Sequence, residues 1–190
     1  MAGMCMMCDG ASIDEVRFGI HGLIARHGFA ITGCEGAAGE AGWSYTIGLV
    51  TQFDHPELVV LDTEHTRRAR ILDGLGELVK AGERLDGDVS VVFRTGEVFD
   101  FVDVHPVHFD RGLLNIWLDY MGALGPLRPQ PRALQVIQDH GPRCDKHWIP
   151  GPPRLDSPRA VFTGSRPNRS KPRPRPGDHL RPGGRPRRGR

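Results

Sequence analysis

The sequence predicts an α+β domain, a single mainly antiparallel sheet with two to three helices, followed by a disordered basic tail. Two observations predict it. Apolar residues recur at helical spacing in some stretches and as short β-branched or aromatic runs in others, with Gly/Pro-rich turns between them. Charge is also split along the chain. Residues 1–162 hold fifteen Lys/Arg and twenty-two Asp/Glu, whereas 163–190 hold ten bases and one acid.

The elements follow in order. Ser12-Ile13-Asp14-Glu15 is a capping box that opens a helix, with Val16, Ile20, Leu23 and Ile24 as its apolar stripe and Gly28 as its stop. Phe29–Thr32 reads as a short strand and CEGAAGEAG, residues 34–42, as a flexible connection. WSYTIGL (43–49) and ELVVL (57–61) read as strands joined across QFDHP. Thr63 to Ala81 is the strongest helix, burying Ala69, Leu72, Leu75, Leu78 and Val79 and leaving Arg67, Arg68 and Arg70 in water. Thr95-Gly96 between VSVVFR and EVFDFVDV marks a hairpin. GLLNIWLDYMGAL (112–124) is a further helix and ALQVI (133–137) a last strand. After the first helix the order is β-β-β-α-β-β-α-β.

The chain of 190 residues is long enough for one domain with a sizeable core. Its domain limits are read as 1–162, with 163–190 as the tail, because Pro/Gly-rich charged chain buries too little apolar surface to offset its ordering entropy. No apolar run reaches the roughly 20 residues needed to span a bilayer, and no secretory signal pattern is present. The expectation is a cytoplasmic chain without a membrane partner, whose four cysteines stay reduced.

The motifs YTIGL and HPELVV, together with CxxCDG near the start, AGERL after the long helix and the ALQVI strand, resemble an uncharacterised family of the actinobacterial type. HPVHFDRGLL and CDKHW…PRLDSP resemble the branch with an extra Cys-x-x-His, so the resemblance runs from about Cys5 to Leu155. It implies a domain of unknown function and no particular reaction. The basic tail is not part of the shared pattern.

Chemistry concentrates in few places. Cys5-x-x-Cys8 and Cys144-x-x-His147 are two close pairs of the kind that fill a tetrahedral zinc site. Three thiolates and an imidazole leave no position for a catalytic water, so such a zinc is structural. A redox CxxC, Cu(I) held with help from Met4, Met6 and Met7, or idle thiols are the alternatives. Tyr45 and Thr46, with His55, His105 and His108, are candidates for a polar pocket, joined by the carboxylates Asp54, Glu57 and Asp110. The structural alternative is that both His-Pro dipeptides mark chain entering or leaving strands. Cys34 reads as a loop or core thiol.

No dinucleotide, P-loop or nucleophile-elbow motif is present. The tail attracts nucleic acid or another polyanion by counterion release, and with no aromatic residue after Phe162 it cannot stack on bases. Two functions remain open. One is a non-enzymatic, zinc-stapled binding or regulatory domain with a polyanion-binding tail. The other is a small enzyme with a pocket near YTIGL and HPVH, holding a flavin.

Overall fold

The computed structural model describes residues 10–35, 42–62, 64–125, 129–139 and 155–156. Helix α1 (Ile13–His27) is followed by strands β1 (Ala30–Cys34) and β2 (Gly42–Ile47), helix α2 (Leu49–Phe53) and strand β3 (Glu57–Asp62). Helix α3 (His65–Lys80), strands β4 (Val91–Val92) and β5 (Val98–Asp103), helices α4 (Val107–Asp110) and α5 (Asn115–Ala123), and strand β6 (Ala133–Asp139) complete the order.

The six strands form one sheet in the order β1-β2-β3-β6-β5-β4. The α+β class stands, but the sheet is mixed rather than mainly antiparallel. Its central pair is parallel, with Glu57 opposite Ala133 and Val59 opposite Gln135, and antiparallel pairs flank it. The reason is connectivity. β6 arrives after a crossover of some seventy residues and inserts between β3 and β5, whereas adjacent strands joined by short turns pair antiparallel.

Both faces of the sheet are covered. Val16, Ile20 and Ile24 of α1 join Trp117, Tyr120 and Met121 of α5 over Trp43, Tyr45, Ile47, Val59 and Leu61. Ile71, Leu72, Leu75 and Val79 of α3 pack on the other face, over Leu58, Val60, Phe99, Leu134 and Val136. β3 and β6 are therefore buried on both sides and read as nearly continuous apolar runs.

Local signals hold for most elements. Ser12 and Glu15 form the expected capping box, and Gly28 at φ 90° closes α1. The hairpin across Thr95-Gly96 is present, with a first strand of two residues instead of six. Three features differ. The strand over 43–49 ends at Ile47, and Leu49–Phe53 turns into α2 where a plain connection was expected. Val107–Asp110 forms the further short helix α4. Arg68 is fully buried instead of wet.

Arg68 has a physical reason to be inside. Its Nε donates to Ser44 Oγ at 3.1 Å, one terminal nitrogen donates to the Asp62 carbonyl at 2.5 Å, and the other pairs with Glu35 at 2.9 Å. Every nitrogen has a partner, which is the condition for burying a cation. Gly42 is what admits it, because a Cβ there would lie 2.8 Å from one guanidinium nitrogen.

Beyond β6, Leu155 is fully buried in the layer beneath α1 and α5. Its N–H donates to the buried Gln135 Oε1 at 2.6 Å, and its carbonyl accepts from His105 N at 2.8 Å. The anchor predicts that Leu155→Ala costs about 2–5 kcal/mol of stability, a core-cavity value, although the residue lies far past the last strand. Urea unfolding checks this, and a loss below about 1 kcal/mol would show that the anchor is dispensable.

Candidate functional site

The motifs YTIGL and HPEL meet in space. Glu57 opens β3 with its carboxylate fully buried and turned back toward the turn between β2 and α2. Oε1 accepts from Gly48 N at 2.9 Å, Val50 N at 3.3 Å and Trp117 Nε1 at 3.0 Å. Oε2 accepts from Thr46 Oγ1 at 2.7 Å and Leu49 N at 3.2 Å. Helix α2 has no side-chain cap of its own, so Glu57 supplies one from the next strand.

Each partner is positioned by local sequence. Gly48 sits at φ 122°, and a Cβ there would come within 3.0 Å of the Gly28 carbonyl, so this turn accepts glycine alone. Thr46 lies just past the ladder between β2 and β3. Its hydroxyl accepts from Leu58 N at 2.9 Å while donating to Glu57, which replaces the missing rung. Trp117 projects from α5 and is fully buried. Burial pushes the Glu57 carboxyl above its ordinary value, against donors led by Thr46 that pull it down.

Tyr45 and Trp43, two positions apart along β2 and on the opposite face from Thr46, hold the segment around α5. The Tyr45 hydroxyl accepts from Ile116 N at 3.2 Å, satisfying an early N–H of a helix that lacks a side-chain cap. Trp43 Nε1 donates to the Leu113 carbonyl at 3.2 Å. Burial pushes the Tyr45 phenol above its ordinary value.

The three histidines divide between two places. His55 is buried between the Pro56 carbonyl and the Leu85 backbone. It borders a shallow depression of about 210 Å³ lined also by Phe53, Val79, Lys80, Gly82, Glu83 and Arg84. His105 and His108 sit together, with ring centroids 6.5 Å apart and nearly perpendicular. His105 Nδ1 accepts from Val107 N at 3.3 Å and so caps α4, while His108 is fully buried. Of the five residues expected to line one pocket, Tyr45 accepts from α5, Thr46 donates to Glu57, His105 accepts from the first N–H of α4 with His108 buried beside it, and His55 borders the depression.

Cys5, Cys8, Cys144 and His147 lie outside the described residues. Among the described residues no group of three or more His, Cys, Asp or Glu could hold a metal ion. Cys34 is half-buried against the layer beneath α1. No helix among the described residues is long and apolar enough to cross a membrane.

The segment that contains this carboxylate and its donors also carries a family signature: residues 23–140 match the domain of unknown function DUF4262. The chain belongs to the DUF4262 family. Thr46, Gly48, Glu57 and Trp117 all lie within the DUF4262 match, whereas the capping box of α1 and the Leu155 anchor lie outside it. The match is shorter at both ends than the resemblance read from Cys5 to Leu155. No curated protein and no solved structure matches the chain.

Sequence reasoning noticed Glu57 as one carboxylate among several and gave Trp117 no role. The signal for Glu57 was an acid at the first position of an apolar strand, since a buried charge demands partners. For Arg68 the signal was polar Ser44 inside an otherwise apolar strand.

Glu57→Ala leaves five donors without an acceptor and is expected to cost at least about 3 kcal/mol. Glu57→Gln keeps one oxygen for three of them but sets an amide N–H₂ against Leu49 N, so its expected cost is smaller, roughly 1–3 kcal/mol. Denaturant unfolding of both variants checks the order. Equal stability of Glu57→Gln and the parent chain would show that the second oxygen's contacts contribute nothing.

Proposed function

We propose that the chain is a non-enzymatic binding or regulatory domain, stapled by zinc through Cys5, Cys8, Cys144 and His147, with a basic arm that takes polyanions. One observation carries the non-enzymatic reading. Four polar side chains around YTIGL and HPVH are committed to the fold: Thr46 and Glu57 to each other and, through Glu57, to α2, Tyr45 to α5, and His105 to α4. A general acid or base has to face its substrate, and a flavin site in this region needs groups that face the ligand. These side chains instead satisfy backbone and indole N–H groups.

Two features support the zinc. The donor set is chemically suited to a closed tetrahedral site. Ala11, three residues after Cys8, packs against the same apolar layer that contains Leu155, eight residues after His147. Chain close to each pair thus returns to one face of the sheet, so a shared ion would fasten the two ends of the domain.

Elemental analysis of the purified chain should return one zinc per chain, with no flavin absorbance. Cys8→Ser and Cys144→Ser should each lower zinc content and melting temperature together, and the double variant should cost little more than either, because both break the same clip. Zinc-free protein of unchanged stability would refute the staple, and a yellow protein would favour the enzyme.

Net positive charge on residues 163–190 supports the arm. Binding to duplex DNA should weaken with salt at a slope of about −0.9 in log K against log salt for each phosphate contacted, and should vanish when residues 163–190 are removed. Salt-independent binding, or binding retained by the truncated chain, would move the site to the body.

A further inference from the structure

We propose that the outward face of α1 pairs with the same face of a second copy of the chain, the two helices antiparallel and Phe18 of each seated over Gly22 of the other. Phe18 is 81% exposed, the most exposed large hydrophobic side chain among the described residues. It stands on the side of α1 away from the core, which Val16, Ile20 and Ile24 face. One exposed ring is ordinary by itself. What singles this one out is its neighbour.

Gly22 lies one turn further on, in the same row of the helix surface. Glycine inside a helix weakens it, so a reason for its presence is wanted. The single chain supplies none. Gly22 has no positive φ, and a Cβ built there meets nothing within 4 Å among the described residues. Ala25 is also exposed and extends the shallow floor beside it. The helix thus carries a knob and a hole on one face.

Their spacing makes the face self-complementary. Ile20 points into the core, so the outermost line of α1 at that level passes between Phe18 and Gly22. A two-fold axis through that point, the commonest symmetry of self-association, sets Phe18 on the partner's Gly22 and Gly22 under the partner's Phe18. The same operation brings Asp14 against the partner's Arg26, since both pairs are centred on position 20.

Charge fixes the direction. Asp14 and Glu15 occupy the first turn of α1, and Arg26 and His27 the last. Antiparallel helices set acid over base at both ends, whereas parallel helices set like over like. Asp14 pairs with Arg17 at 2.9 Å but is 84% exposed, open to a second cation. Arg26 Nε donates to the Gly22 carbonyl at 3.1 Å, which keeps the guanidinium close to the hole. On the flank toward α5 the polar groups are taken: Arg17 holds Asp119 at 2.7 and 2.8 Å, and His21 bonds the Tyr120 hydroxyl. The strip from Asp14 to Arg26 is therefore the part of α1 left to pair. One helix from each copy buries less than the roughly 1,200 Å² of a stable interface, so the pairing is weak and concentration-dependent.

Sedimentation equilibrium on the full chain tests the pairing. The average mass should rise with concentration from that of one chain toward that of two. Phe18→Ala changes a side chain that is exposed in the single chain, so it should keep the helical circular dichroism and weaken association at least about tenfold. Gly22→Leu fits the single chain yet fills the hole, and should weaken association by as much. Asp14→Arg and Arg26→Asp should each weaken it, and the doubly swapped chain should recover, which parallel helices do not allow. Should a variant fail to fold, nuclear magnetic resonance of the parent chain decides: amide shifts that change with concentration should centre on Phe18, Gly22 and Ala25. A single-chain mass at every concentration, association untouched by Phe18→Ala and Gly22→Leu, or shifts centred on another element would each overturn the pairing.

Discussion

A carboxylate in the interior of a sheet has to be surrounded by donors, and much of this domain is arranged to supply them. Glu57 draws together the end of β2 through Thr46, the start of α2 through Gly48, Leu49 and Val50, and α5 through Trp117. The β2–α2 corner and α5, far apart in sequence, thereby meet at one residue. Taking a carboxylate out of water costs several kcal/mol, and five donors offset that cost only if all are in place together. The interaction is thus weak as a source of net stability and strong as a selector of geometry. Any arrangement of α2 or α5 that withdraws a donor leaves a buried charge undersatisfied.

The opposite face has a counterpart of the other sign. Arg68 enters the layer under α3 and is saturated by Ser44, the Asp62 carbonyl and Glu35. Its position depends on a glycine at 42 in the same way that the α2 turn depends on a glycine at 48. Both glycines flank β2, so the fully buried second strand is bounded at each end by a place where backbone must come close to something else. The exposed Glu35 makes Arg68 a link between the sheet interior and the loop after β1.

Elements marked by local chemistry were legible in the sequence. The capping box at Ser12, the stop at Gly28, the Thr95-Gly96 hairpin and the apolar run of β3 each state their conformation within a few residues. Features set by distant partners were not. Leu49–Phe53 becomes helical because Glu57, reached only after the turn, caps it; within WSYTIGL the β-branched pattern simply continues. The stripe on α3 was correct at Leu72, Leu75 and Val79 and wrong at Arg68, whose partners sit on three other segments. Tyr45, His55 and His105 bond to backbone groups, and Thr46 bonds to Leu58 N and Glu57, a distinction that composition and spacing do not encode.

The parallel contact between β3 and β6 also shapes how the chain reaches this state. Strands β1, β2 and β3 can assemble from contiguous chain, and β4 with β5 can close as a hairpin, but neither group touches the other until the segment near 133–139 arrives. During synthesis at about 5–20 residues per second, β3 therefore waits several seconds with one edge unpaired. That edge belongs to an apolar strand, the kind that recruits other chains when left open. Long-range closure of this sort is slow compared with hairpin formation. Among the described strands the last to emerge is the one that unites the sheet, so a nascent chain stalled before residue 133 holds two incomplete half-sheets and is the form most exposed to aggregation.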